Sequence, residues 1–207
     1  MEKPTLYIGN KNLSSWSFRA WLALKSVGLA FEEVLIPLDH PDVKTNILKV
    51  SSSGFVPCLH HGSLKIHDSL AIAEYVHELC PQMSLIPSDS RARAVSRSIC
   101  SEMHSGFLQL RREFPMNMKH RETKILSELV SQDIRRIFEI WNTTKSAYGT
   151  EGPFLFGNWN IADVFFAPVV SRFISYGIKK DNFQDYMTAV SNNEFYQEWY
   201  NSAVTEL

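Results

Sequence analysis

Cysteine is scarce and unpatterned here: the 207 residues hold three, Cys58, Cys80 and Cys100, and no two form a Cys-x-x-Cys pair. That scatter excludes a disulfide framework and a zinc site, so no metal is expected. An odd number of unpaired thiols fits a reducing cytoplasm. An excess of charge is also missing, since 21 basic side chains stand against 22 acidic ones. General binders of nucleic acid or of anionic membrane surfaces carry a basic surplus, so neither partner is expected. The local basic clusters Arg91/Arg93/Arg97 and Arg111/Arg112 fall in helical patterns and read as solvated faces or dimer contacts. Long apolar runs are absent too. Met1-Glu2-Lys3-Pro4 is not followed by the apolar core of a secretory leader. The strongest apolar stretch, Val164 to Val170, is far too short for a bilayer span and contains Pro168. No internal repeat or low-complexity tract is visible.

What is present is an ordinary globular composition, 44% hydrophobic and 21% charged, in a chain long enough for one large domain or two modest ones. The first eighty residues alternate between strand and helix patterns. Leu6 to Ile8 reads as a strand and Trp16 to Val27 as a helix that Gly28 ends. Phe31 to Leu38 is a second strand and Asp42 to Val50 a short helix. Phe55 to Leu59 and Leu64 to His67 are two strands joined at His61-Gly62. Asp68-Ser69 opens a helix with apolar residues three and four apart through Leu79. The order is β-α-β-α-β-β-α. Residues 81–87, with Pro81 and Pro87, form a linker, so the expected units are 1–80, α/β, and 88–207, all-α. In the second unit helices are expected over Arg91 to Phe114, Arg121 to Ala147, Ile161 to Tyr176, Phe183 to Val190 and Glu194 to Ala203.

Four short motifs carry chemistry or folding. Asn12-Leu13-Ser14-Ser15-Trp16-Ser17-Phe18-Arg19 puts two serines where the first strand hands over to the first helix. A serine there either caps the helix or donates to an anion held at the helix N-terminus, such as a thiolate. In Gly54-Phe55-Val56-Pro57-Cys58-Leu59 a proline interrupts an apolar strand. It marks either a plain edge strand or a cis bond that turns the Val56 backbone out to pair with an extended peptide ligand. Asp68-Ser69 stands at another strand-to-helix junction. It either caps the helix or holds a carboxylate at Ser69 and an ammonium at Asp68. A thiol, a carboxylate and an amine at peptide spacing describe glutathione. Asn160-Ile161-Ala162-Asp163 reads as a capping box, a folding device without chemistry.

In this order the motifs resemble those of the cytosolic glutathione S-transferase family, over essentially the whole chain. The serine run resembles the Ser-Ser-x-Ser pattern of serine-type members, above all the zeta class and its bacterial relatives. Ser52 to Pro57 resembles the family's cis-proline loop, Asp68 to Ile72 its glutathione signature, and Asn160 to Asp163 its capping box. The resemblance implies a thioredoxin-like domain followed by an all-α domain, a homodimer, and glutathione as co-substrate attacking a small hydrophobic electrophile. Carried over by position, it implies Ser14 as hydroxyl donor to the sulfur, with Ser15 as second choice. It implies Val56 and Pro57 at the cysteinyl unit, and Asp68 and Ser69 at the γ-glutamyl end. Met103, His104, Phe107 and Arg111 are candidate walls for the electrophile, or else core or dimer residues. Trp16 stands where zeta members have cysteine, which counts against the zeta isomerase activity; isomerisation, peroxide reduction and non-catalytic binding are the alternatives. Phe55 occupies a place often held by lysine or arginine.

Overall fold

The computed structural model describes residues 2–206. It begins with β1 (Thr5–Ile8), α1 (Ser15–Ser26), β2 (Glu32–Leu35) and α2 (Val43–Val50). These are followed by β3 (Cys58–His61), β4 (Leu64–His67) and α3 (Ser69–Leu79). The four strands form one sheet in the order β2-β1-β3-β4. β1 runs parallel to β2 and antiparallel to β3, and β4 is antiparallel to β3. This is the expected thioredoxin-like arrangement. Leu6, Ile8 and Leu59 are fully buried beneath α1 and α3, which pack on each other, whereas β2 forms an exposed edge. α2 buries Ile47 alone.

A 3-10 turn, Pro81–Met83, falls in the expected linker. Beyond it come α4 (Ser90–Ser105), α5 (Leu108–Glu113), α6 (Glu128–Tyr148), α7 (Ile161–Ser175), α8 (Gln184–Ser191) and α9 (Glu194–Thr205). Two expectations need correction. The helix foreseen over Arg91 to Phe114 breaks into α4 and α5, because Gly106 is extended and Phe107 is left-handed at φ 60°. The break is fixed from outside, since Asp133 of α6 accepts the N–H groups of Gln109 and Leu110 at 3.1 and 3.0 Å. The helix foreseen from Arg121 starts only at Glu128, where Ser127 caps it by accepting from Val130 N–H at 3.2 Å. The residues before it are held by a tertiary contact instead, Glu122 N–H donating to the Ser175 carbonyl.

α7 is the hub. It is apolar nearly all round, as a helix enclosed by others must be, and packs against α1, α4 and α8. Its capping box is complete: Asn160 accepts from Ala162 N–H at 2.9 Å, and Asp163 accepts from Asn160 N–H at 3.0 Å. α1 is thereby enclosed between the sheet and the helical region, and α9 adds Trp199, stacked on Phe18 at 5.0 Å.

Candidate active site

The cleft is built where α1 starts. Ser14 is the N-cap of α1, accepting the Ser17 N–H at 3.3 Å and donating its own hydroxyl to Ser17 Oγ at 2.7 Å. Ser17 in turn accepts Gly9 N–H at 3.0 Å, which ties the end of β1 to the helix. Both hydrogen-bonding capacities of Ser14 are therefore directed at Ser17. The next serine differs. Ser15 Oγ accepts from Arg172 Nη2 at 3.2 Å, so its own hydrogen is left to be donated elsewhere.

Arg172 comes from the interior of α7. Its other nitrogens donate to the carbonyls of Phe114 and Pro168, each at 3.0 Å. Burial first, and the charge of Arg111 second, bring it down to about 9. It is still a cation at neutral pH. Arg111 itself, lowered to about 10 by burial, donates to the carbonyls of Gly106 and Met103 and lies 4.8 Å from the Trp16 ring. Its Nη1 is buried without a partner. Arg19 is fully buried between Trp16 and Phe165, at 4.7 and 5.1 Å from their rings. None of its three side-chain nitrogens has a protein partner. Trp16 thus has two guanidinium groups within 4.8 Å of its ring centre, with the His104 ring edge-on at 4.9 Å.

Two cavities share Trp16, Phe55 and Val56 as walls. The first, of about 310 Å³, is also lined by Ser53, Pro57, His67, Asp68 and Ser69. The Val56-Pro57 bond is cis. Asp68 has a φ of 79° and caps α3 through Leu70 and Ala71 N–H, at 2.7 and 3.4 Å, while its other oxygen meets His104 Nε2 at 3.0 Å. Burial pushes the Asp68 carboxyl up, but the bonds from His104 and Leu70 outweigh it and hold the group below the usual range. Ser69 Oγ has no protein partner. The second cavity, of about 360 Å³, is lined by Ser14, Ser15, Arg111 and Arg172 together with Leu13, Leu38, Ile47, Pro115 and Met116. No carboxylate is among its lining residues.

The structure therefore brings Ser14, Ser15, Val56, Pro57, Asp68, Ser69 and Arg111 to one cleft. Met103 and Phe107 do not reach it. They are buried in the core: Met103 continues the buried face of α4 formed by Ala92, Ser96, Ile99 and Cys100, and Phe107 sits at the α4–α5 break. His104 serves as partner of Asp68 and Trp16 and does not line the second cavity. Arg111 is not part of a solvated face. Arg172 and Arg19 were not foreseen, although a cation inside an apolar helix is itself a signal, since arginine is almost never fully buried unless paired. Among the described residues, no group of three or more His, Cys, Asp or Glu is placed to hold a metal. Nor is any helix long and apolar enough to cross a membrane.

These features define a class: a thioredoxin-like unit joined to a helical one, with a helix-end serine, a cis-proline loop and an Asp-Ser junction around one cleft. The family described as "Glutathione S-transferase, N-terminal domain" matches residues 13–79. Glutathione S-transferase 1 of Dianthus caryophyllus is 30% identical over 189 residues, covering 88% of this chain and 83% of that protein. A probable maleylacetoacetate isomerase of Caenorhabditis elegans is 33% identical over 109 residues, covering 53% of this chain and 50% of that protein. A glutathione transferase homologue from Burkholderia, solved with bound glutathione, shares the fold with a TM-score of 0.75 at 24% identity, over 98% of both chains. The chain belongs to the glutathione S-transferase family.

Proposed function

We propose that this chain binds glutathione across the two joined cavities, ionises its thiol at Ser15, and adds the sulfur to a small, mainly hydrophobic electrophile bearing an anionic group. The observation that carries the assignment is the bond from Arg172 Nη2 to Ser15 Oγ. A hydroxyl that accepts from a buried cation is a stronger donor to an anion in front of it. Ser14, preferred from the resemblance, has both capacities engaged by Ser17 and acts instead by capping α1.

A free cysteine thiol has a pKa of about 8.5. Lowering it by about 2 units requires roughly 2.7 kcal/mol of preference for the thiolate. A hydrogen bond to a charged group supplies about 1.5–3 kcal/mol and a helix N-terminus about 0.3–1 kcal/mol. Asp68 and Ser69 take the γ-glutamyl ammonium and carboxylate, and the backbone of Val56 beside Pro57 pairs with the cysteinyl unit. The thiolate then forms an S–C bond, and the displaced electron pair leaves with the leaving group or, in a conjugated acceptor, settles on oxygen and is protonated by water. The apolar walls of the second cavity suit the carbon skeleton, and Arg111 suits its anionic group.

Isomerisation is a second reading, favoured by the arginine pair and by the relative named a probable maleylacetoacetate isomerase. In that reaction the thiolate adds and is later expelled, so glutathione is not consumed. The reading also includes a homodimer, which sedimentation analysis checks, and a cytoplasmic setting, which the three buried, unpaired cysteines support.

The test is ultraviolet difference titration of bound glutathione in the native protein, Ser14→Ala and Ser15→Ala. A thiol pKa about 2 units below the free value, lost in Ser15→Ala, is expected, with turnover falling roughly ten- to a thousandfold. Retention of the low pKa in Ser15→Ala and its loss in Ser14→Ala would return the role to Ser14. Stoichiometric loss of glutathione during turnover separates transfer from isomerisation.

A further inference from the structure

The loop that delivers the serines is tied through its backbone to the far end of the chain. All four backbone polar atoms of Lys11 and Asn12 are taken by residues far along the chain. Lys11 N–H donates to Glu206 Oε1 at 2.8 Å, and Asn12 N–H donates to Glu206 Oε2 at 3.1 Å. The Lys11 carbonyl accepts from Trp199 Nε1 at 2.9 Å, and the Asn12 carbonyl accepts from Met118 N–H at 3.3 Å. Glu206 is itself held, since its carbonyl accepts from Lys119 Nζ and its N–H caps α9 on the Ser202 carbonyl.

We propose that Glu206 is a positioning residue for the active-site serines. Its carboxylate fastens two consecutive amides of the turn and so fixes where the chain enters α1. The geometry favours a specific role over general adhesion. Two adjacent N–H groups aimed at one point form a concavity of positive potential, and a carboxylate with both oxygens on it is the complementary group. The turn is closed by Leu13 and Ser14 N–H on the Asn10 carbonyl, at 3.1 and 2.8 Å, so movement at Lys11 and Asn12 passes directly to Ser14 and Ser15. A displacement near 1 Å in such a group costs up to about a hundredfold in rate.

The inference rests on the reading of Ser15 as the thiolate donor, so the experiment separates the two. Glu206→Ala is compared with native protein by hydrogen exchange at the Lys11 and Asn12 amides, which needs no glutathione, and by the bound-thiol titration and kcat. Glu198→Ala is the control, removing an exposed ion pair with Lys25 from the same helix. Exchange at the two amides is expected to rise about tenfold in Glu206→Ala. The thiol pKa should move toward the free value and kcat fall about tenfold, with the KM for glutathione little changed. Glu206→Gln, which keeps one acceptor, should recover part of the loss, and Glu198→Ala should change none of these. Unaltered exchange in Glu206→Ala would overturn the clamp. Faster exchange with unaltered thiol pKa and kcat would overturn its link to catalysis. A native protein that clamps the loop but leaves the thiol pKa at its free value would instead sink the Ser15 reading.

Discussion

Ser14 and Ser15 are neighbours with the same hydroxyl, yet they do different work. Ser14 is the N-cap, outside the first helical turn, and faces Ser17, whereas Ser15 opens the helix and faces α7. Its partner there, Arg172, is more than 150 residues away. Replacing Arg172 should therefore act twice. Arg172→Met leaves the Phe114 carbonyl without a donor, at about 1–3 kcal/mol. It also removes the charge behind Ser15, so the bound-thiol pKa should rise. Arg172→Lys should fare little better, because a single ammonium cannot serve three divergent acceptors as a guanidinium does. Chemical denaturation measures the first effect and the thiol titration the second. Arg111→Gln makes a narrower prediction. It should raise the KM for a carboxylate-bearing electrophile about tenfold while leaving the KM for glutathione unchanged. Equal loss with a neutral electrophile would remove Arg111 from substrate recognition.

At the scale of the element, helix ends decide the site. α1 begins at Ser14 because that side chain caps it, and α3 begins at Asp68 for the same reason. α7 begins at Asn160, and its buried Asp163 makes stability depend on pH. Desolvation by burial raises that carboxyl to about 7, against bonds from Leu155 and Asn160 N–H that favour its charged form. An unfolded aspartate titrates near 3.9, so between about pH 4 and pH 7 the folded chain binds the extra proton. The stability contributed at this residue is therefore greatest below that window. It falls as pH rises, by up to about 1.4 kcal/mol per unit, and levels off above the folded value. Urea midpoints across that range should show the slope in native protein and lose it in Asp163→Asn. An unchanged slope in the variant would place its origin in other groups.

For the molecule as a whole, the order of elements along the chain suggests two domains, but the packing joins them. α1 is shared: one side lies on the sheet and α3, the other on α7 and α9. Trp159 reaches back to Ser26 Oγ at 2.8 Å, and Lys11 and Asn12 are held by α9 and the loop before α6. The segment up to residue 87 expressed alone would expose Phe18 and Trp21, which the full chain buries. It is expected to lack a cooperative melt, whereas the full chain should unfold in one transition by both circular dichroism and tryptophan fluorescence. Two separated transitions would show that the units are stable independently.

The elements and many of their ends are legible in the residues themselves. Periodicity, caps and prolines are local, and a serine, an Asp-Ser pair or a Val-Pro step acts through its own backbone. The order of elements along the chain, the capping box at Asn160 and Asp163, and the placing of Ser15, Val56, Asp68 and Ser69 at the cleft were all legible in this way. The remaining features rest on contacts between distant parts of the chain. The break at Gly106-Phe107 is held by Asp133 of α6, and packing against the other helices makes Met103 and Phe107 core residues. The bond from Arg172 to Ser15 and the hold on the serine loop by Glu206 and Trp199 are likewise tertiary. In each case the deciding partner is distant along the chain, and a hydrogen bond between distant residues leaves no local periodicity to read.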